Sequence, residues 1–185
     1  MDKNNLDKKT LLFPGGFQFV RNYGGYDGPD SWLRENCLGT EAKADYFIGH
    51  SIGASSALSY FEGNPESKFI LFNPLIKKRN ILDLIFRWMR FLLEERIEWI
   101  RIVPVRNWIS GFGKIWKLLK IDVLAEMEKI PKGNLIVLRG KNDRFFCDEE
   151  SAKIIKRKNI RLIEVEAGHD WNKNVKEAAD KLIFF

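Results

Sequence analysis

The sequence predicts an α/β fold: one domain built on a mostly parallel sheet of about five strands, with a helical segment inserted between the third and the fourth. Three observations predict it. Short, continuous apolar runs recur along the chain, as expected of strands buried on both faces of a parallel sheet. Helical stretches alternate with those runs, which is the pattern of α/β architecture. A single segment, Ile76 to Ile130, interrupts the alternation with helices alone.

Taken in order, Thr10-Leu11-Leu12-Phe13 is the first apolar run, and it stops at Pro14-Gly15-Gly16, where a strand must give way to a loop. A Gly- and aromatic-rich loop leads to Gly28. Pro29-Asp30-Ser31 then offers helix-start chemistry before Trp32-Leu33 and Cys37-Leu38, with Gly39 as the stop. Asp45-Tyr46-Phe47-Ile48 is the second strand. Ser51 to Phe61 carries the small residues Gly53, Ala54, Ser55, Ser56 and Ala57, which let a helix pack closely on a sheet. Lys68 to Phe72, Asn134 to Leu138 and Ile160 to Val165 are the remaining strands, with helices over Glu149 to Lys158 and Asn172 to Phe185. If one helix links the first two strands and all crossovers step the same way, their helices fall on one face of the sheet. The C-terminal helix, part of the insert or a second subunit must then cover the other.

The insert is read as a lid or cap over residues 76–130 of a domain spanning 1–185. Ile81, Ile85, Trp88, Met89, Leu92 and Trp99 or Ile100 recur near helical spacing and define one apolar face, whose default role is to pack on the core. The segment is also where the charge sits. The chain carries a formal net charge of +6, yet between Ile76 and Lys120 eleven basic residues face four acidic ones, so the rest of the chain is close to neutral. Its basic face is expected to point outward. Hydrophobic residues make up 45% of the chain, too many for disorder. Two cysteines, Cys37 and Cys147, are too few for a disulfide framework and lack metal-site spacing. With no apolar leader in Met1 to Thr10 and no uninterrupted apolar stretch of ~20 residues, the expected location is the cytoplasm.

Gly49-His50-Ser51-Ile52-Gly53 matches G-x-S-x-G directly after a predicted strand and at the opening of a predicted helix. That context, more than the five residues, identifies Ser51 as a nucleophile: a tight strand-to-helix turn lifts its hydroxyl into the open and leaves no room for flanking side chains. A serine needs a base to take its proton, and the chain has two histidines. His50 adjoins the serine and is expected to pack or hydrogen-bond beneath the turn. His169, in Ala167-Gly168-His169-Asp170 after the last strand, lies at the sheet edge from which Ser51 projects. Asp143, in the loop after the fourth strand, is the carboxylate that would hold the imidazole tautomer. Its rivals are Asp148, which begins a helix, Asp170, which adjoins the base, and Asp122, which lies in the insert. For the oxyanion, the N–H of Ile52 is one donor and that of Gly16 or Phe17 the second.

Together these pieces resemble the α/β-hydrolase superfamily, and within it the small, compact serine hydrolases. The resemblance runs from Thr10 to the C-terminus apart from the insert. It implies acyl transfer: Ser51 attacks a carboxylic ester, thioester or amide carbonyl, His169 protonates the leaving group, and water releases the acid. It calls for no cofactor and no metal. The sequence departs from many relatives in reading Phe-Pro-Gly-Gly-Phe where they carry His-Gly, and in holding only one helix between Phe17 and Asp45. The partner expected is a small acyl ester or thioester. Nucleic acid is disfavoured, while the basic lid suits peripheral contact with a membrane and the sheet leaves room for a homo-oligomer. The competing reading is a non-catalytic binding protein on the same fold, acting through its basic, Trp-rich insert.

Overall fold

A computed structural model of the chain describes residues 8–16, 18–29, 38, 41–96 and 105–184. Five parallel strands form one sheet in the order of the chain: β1 (Thr10–Phe13), β2 (Tyr46–His50), β3 (Lys68–Phe72), β4 (Leu135–Gly140) and β5 (Arg161–Val165). β2 and β4 run two residues past their predicted ends. The β2–β3 register pairs Gly49 with Leu71 and His50 with Phe72, so hydrogen bonding carries β2 to the residue before Ser51.

Alternate side chains of these strands feed two apolar layers, as the period of two along a strand requires. On one face, Phe13, Phe47, Phe69, Leu71 and Val137 pack with α1 (Gly53–Leu58), α4 (Val123–Lys129) and α5 (Glu149–Arg157). On the other, Leu12, Ile48, Ile70, Phe72 and Leu138 meet Tyr23 and the C-terminal helix α6 (Lys173–Phe184) through Val175, Ala179 and Ile183. Uniform right-handed steps explain the first layer, and the C-terminal helix covers the second face. Apart from Pro29 and Leu38, the helix expected from Pro29 to Gly39 lies outside the described residues. A short 3-10 turn, Val20–Tyr23, is the element found nearby.

Between β3 and β4 stand α2 (Ile81–Glu95), α3 (Val105–Leu119) and α4. The Asn80 side chain caps α2 by accepting from the N–H of Asp83 at 2.7 Å, and Asp122 caps α4 through the N–H of Ala125 at 3.1 Å. The expected apolar stripe on α2 is divided. Leu92 is buried, and Trp88 is half-buried and packs with Phe91 against Phe145 and Phe146, whereas Ile81, Ile85 and Met89 are exposed. At 100° per residue, Met89 falls in line with Leu82, Phe86 and Leu93, and all four are exposed. The outward face of α2 is therefore apolar, not basic. Trp99 and Ile100 lie outside the described residues.

Candidate active site

Strand β2 delivers Ser51 to the C-terminal edge of the sheet in the left-handed backbone region, with φ 53°. Such a conformation is costly for serine and persists only where its surroundings enforce it. Two enforcements are visible. The Ser51 N–H donates to the Phe72 carbonyl at 2.9 Å, pinning the turn to β3. The flanking glycines also admit backbone where a side chain would stand: a Cβ on Gly49 would lie 2.5 Å from Ala54 Cα, and one on Gly53 would lie 2.3 Å from the Phe13 carbonyl oxygen.

The loops after β4 and β5 meet Ser51 there. His169 Nε2 lies 2.9 Å from Ser51 Oγ, and His169 Nδ1 lies 2.7 Å from Asp143 Oδ2. All three residues are buried, the serine least so. The Asp143 carboxylate is held on every side: Oδ1 accepts from the N–H groups of Phe145 (2.9 Å) and Phe146 (3.1 Å), and Oδ2 accepts from Cys147 (3.1 Å). Burial would raise its pKa, but the His169 charge and hydrogen bond together with these N–H donors outweigh it and hold the carboxyl down at about 2. Burial likewise pushes His169 down, and the Asp143 charge and hydrogen bond reverse that, for a net rise above the ordinary value. An ionised Asp143 therefore favours the tautomer with its proton on Nδ1, leaving Nε2 free to accept from the serine.

The rival carboxylates are occupied elsewhere. Asp148 caps α5 by accepting from Ser151 at 3.0 Å and pairs with Arg79 at 2.9 Å. Asp122 caps α4, and Asp170 pairs with Arg96 and accepts from Gln18 Nε2 at 3.0 Å. Gly16 and Ile52 line the cavity beside Ser51, and among the described residues neither backbone N–H has a hydrogen-bond partner. Phe17 lies outside the described residues.

His50 sits beneath the turn, as expected, and takes a definite part there. Its Nε2 donates to the His169 carbonyl at 2.9 Å and its Nδ1 faces the Tyr23 hydroxyl at 2.6 Å. Burial first, and the neighbouring His169 second, depress its pKa to about 3, so it is neutral. The Tyr23 oxygen accepts from the Gly15 N–H at 2.8 Å, and its hydroxyl lies between Gln18 Oε1 and His50 Nδ1. One chain of hydrogen bonds thus ties the Pro-Gly-Gly loop, the elbow and the histidine loop together.

Two residues in this frame escaped the sequence reading. Asn73, directly after β3 with φ 45°, donates from Nδ2 to the carbonyls of Gly168 (2.9 Å) and His169 (3.0 Å), while its Oδ1 accepts from the Gly140 N–H (2.9 Å). It stitches the aspartate loop to the histidine loop. Tyr23 is the other. A polar residue immediately past a buried strand at the same sheet edge was the available signal for Asn73; Tyr23 had none.

A cavity of about 270 Å³ opens over Ser51 and His169. Its walls are apolar and come largely from the inserted helices, with Leu84, Ile85 and Trp88 of α2 and Ile115, Trp116 and Leu119 of α3. Of the four insert tryptophans, Trp88 and Trp116 reach it; Trp99 and the Trp108 side chain lie outside the description. Among the described residues, no cluster of His, Cys, Asp or Glu is arranged to hold a metal ion, and no helix is long and apolar enough to cross a membrane.

No protein-family model matches the chain, and no curated protein matches it in sequence. Solved structures do. The chain is similar to an α/β hydrolase enzyme from a Medee basin deep-sea metagenome library, with 16% identity, a TM-score of 0.57 and coverage of 96% of this chain and 88% of that one. It is similar to an N-formylmaleamic acid deformylase from Pseudomonas putida S16 (12% identity, TM-score 0.54, 94% and 92% covered). A lipase-esterase related protein from Clostridium acetobutylicum matches with 16% identity and a TM-score of 0.52 over 95% and 94% of the two chains.

Proposed function

On the α/β-hydrolase fold that this chain has, we propose a serine hydrolase that cleaves a carboxylic ester or thioester through an acyl-enzyme intermediate. The observation that carries the proposal is the relay from Ser51 Oγ through His169 to Asp143, with links of 2.9 Å and 2.7 Å, at the floor of an apolar cavity.

In this reading His169 Nε2 takes the hydroxyl proton as Ser51 Oγ attacks the acyl carbonyl. The Asp143 carboxylate stabilises the imidazolium that results, and the N–H groups of Ile52 and Gly16 receive the oxyanion of the tetrahedral intermediate. His169 then passes its proton to the leaving alkoxide or thiolate, which departs as alcohol or thiol. A water molecule, deprotonated by the same histidine, attacks the acyl-serine; collapse regenerates Ser51 and releases the acid. The inserted helices act as the lid of the acyl site. Their apolar walls select an uncharged chain, and each further buried CH₂ contributes ~0.8 kcal/mol, about fourfold in kcat/KM, until the cavity is full.

Labelling with a fluorophosphonate probe, followed by p-nitrophenyl esters of rising chain length, tests the proposal. Wild-type protein should label and Ser51→Ala should not. The label should fall with the same pH dependence as ester hydrolysis, and kcat/KM should climb from acetate before levelling. A folded wild-type protein that neither labels nor hydrolyses any ester or thioester would sink this reading in favour of the non-catalytic binding protein.

A further inference from the structure

Among the described residues, the exposed large apolar side chains are Ile81, Leu82, Ile85, Phe86, Met89, Leu93, Ile109 and Trp116. All eight belong to α2 and α3; no other element contributes one. Exposed apolar residues scattered singly need no explanation, but a cluster confined to one pair of helices does. The cluster is also ordered. Leu82, Phe86, Met89 and Leu93 fall within about 60° of arc on α2 and form a stripe roughly 16 Å long, joined along one edge by Ile81 and Ile85 to the inner stripe of Leu84, Trp88, Phe91 and Leu92. A polar strip bounds its other edge, and it neutralises itself through the i,i+4 pairs Asp83–Arg87 and Glu94–Arg90.

We propose that this outward face of α2 and the adjoining part of α3 dock on an anionic lipid surface, with the active-site cavity opening toward it. Three further observations favour that occupant. First, the stripe is continuous with the cavity, because Ile81, Ile85 and Trp116 are both exposed and part of its wall. An acyl chain leaving a lipid layer would meet apolar surface along the whole path to Ser51. Second, the charge matches. Asp122, Asp148, Glu150 and Asp170, acids outside the segment from Ile76 to Lys120, pair with its cations. Even so, the eleven cations of that segment outnumber these four and its own four acids together. The exposed Lys117 and Lys120 have no ion pair among the described residues, so positive charge remains for lipid phosphates. Third, a symmetric pair of copies would bring that same excess face to face with itself, which opposes the second copy as occupant. A helix with one apolar outer face and flanking cations lies in the plane of a lipid interface and does not cross it. Docking itself is independent of the hydrolase reading; only the passage of the substrate from the lipid rests on it.

The test uses the full chain with vesicles of phosphatidylglycerol and of phosphatidylcholine, followed by co-sedimentation and by tryptophan fluorescence at low and raised salt. Wild type should bind phosphatidylglycerol in preference, with a blue-shifted emission, and salt should weaken the binding. Leu82→Ser/Phe86→Ser/Leu93→Ser, none of which lines the cavity, should lower partitioning by about tenfold or more. It should hydrolyse a short, water-soluble ester as wild type does. Lys117→Glu/Lys120→Glu, which leaves the apolar stripe intact, should lose the preference for phosphatidylglycerol. Ser51→Ala should bind vesicles as wild type does, and wild-type protein that binds vesicles but hydrolyses no ester or thioester would remove the proposed activity and leave the docking face standing. The proposal is overturned if wild type shows no salt-sensitive preference for phosphatidylglycerol. It is equally overturned if sedimentation equilibrium finds a wild-type dimer that the triple serine variant dissolves, since the face would then be a contact between copies.

Discussion

Replacing Asp143 by asparagine keeps the shape of the side chain and removes one acceptor oxygen, and the surrounding donors dictate where the new amide group goes. Oδ1 faces two backbone N–H groups, those of Phe145 and Phe146, whereas Oδ2 faces the N–H of Cys147 and the His169 ring. An amide NH₂ in the Oδ1 place would oppose two buried donors. In the Oδ2 place it opposes one, and it can donate to His169 Nδ1. With each unpaired buried donor costing ~1–3 kcal/mol, the second orientation is favoured by about fivefold or more. It forces the imidazole proton onto Nε2, where it points at Ser51 and cannot accept the hydroxyl proton. The expected result is a fall of ~10⁴-fold in kcat with the fold retained. Hydrolysis of p-nitrophenyl butyrate measures the first part. Nitrogen NMR of histidine-labelled protein reads the tautomer directly, and with only His50 and His169 in the chain the assignment is simple. Activity within about tenfold of wild type, or a His169 that still carries its proton on Nδ1, would refute the reasoning.

The net upward shift of His169 places the rising limb of kcat/KM above the ordinary histidine value of ~6.5, because the base must be neutral to work. In Asp143→Asn the limb should drop below that value, since burial remains while its opposing support is gone; a flat profile would count against His169 as base. By the same linkage, the raised pKa of His169 stabilises the fold below about 6.5 and this contribution is lost as pH rises through the folded value. The depressed Asp143 contributes above ~3.9 and loses its contribution as pH falls toward about 2. Gly53→Ala sets a Cβ 2.3 Å from the Phe13 carbonyl oxygen and 2.5 Å from that of Pro14. It should cost roughly 1–3 kcal/mol in urea unfolding and lower kcat by shifting the Pro-Gly-Gly loop; an unchanged protein would mean the turn has room the geometry denies. Tyr23→Phe removes the hydroxyl shared by Gly15, Gln18 and His50, for an expected loss of about 1–3 kcal/mol by guanidinium unfolding. A lower kcat should accompany it with KM little changed, and equal stability would remove Tyr23 from the frame.

Much of this molecule was legible in sequence because the relevant signals are local. A buried parallel strand is a short apolar run, a helix packed on a sheet needs small residues, and a strand-to-helix turn this tight needs glycine at Gly49 and Gly53. Those three facts determined the strand order along the chain, the position of the elbow, and the candidacy of Ser51, Asp143 and His169. Once the strands are parallel, the loops at their C-terminal ends share one edge of the sheet. What the sequence could not determine is decided by contacts between distant segments. Asn73 and Tyr23 matter only because Gly168, His169, Gly140, Gly15 and His50 arrive beside them, and nothing in their own neighbourhood along the chain announces that. The same limit explains α2. Helical spacing identified an apolar stripe through Ile81, Ile85, Trp88, Met89 and Leu92 but could not exclude a second, through Leu82, Phe86 and Leu93, to which Met89 belongs. Periodicity describes the circumference of a helix, while the side that turns toward the sheet is settled by packing. Here Phe91, Phe145 and Phe146 close on one another, and that contact leaves the other apolar stripe facing out.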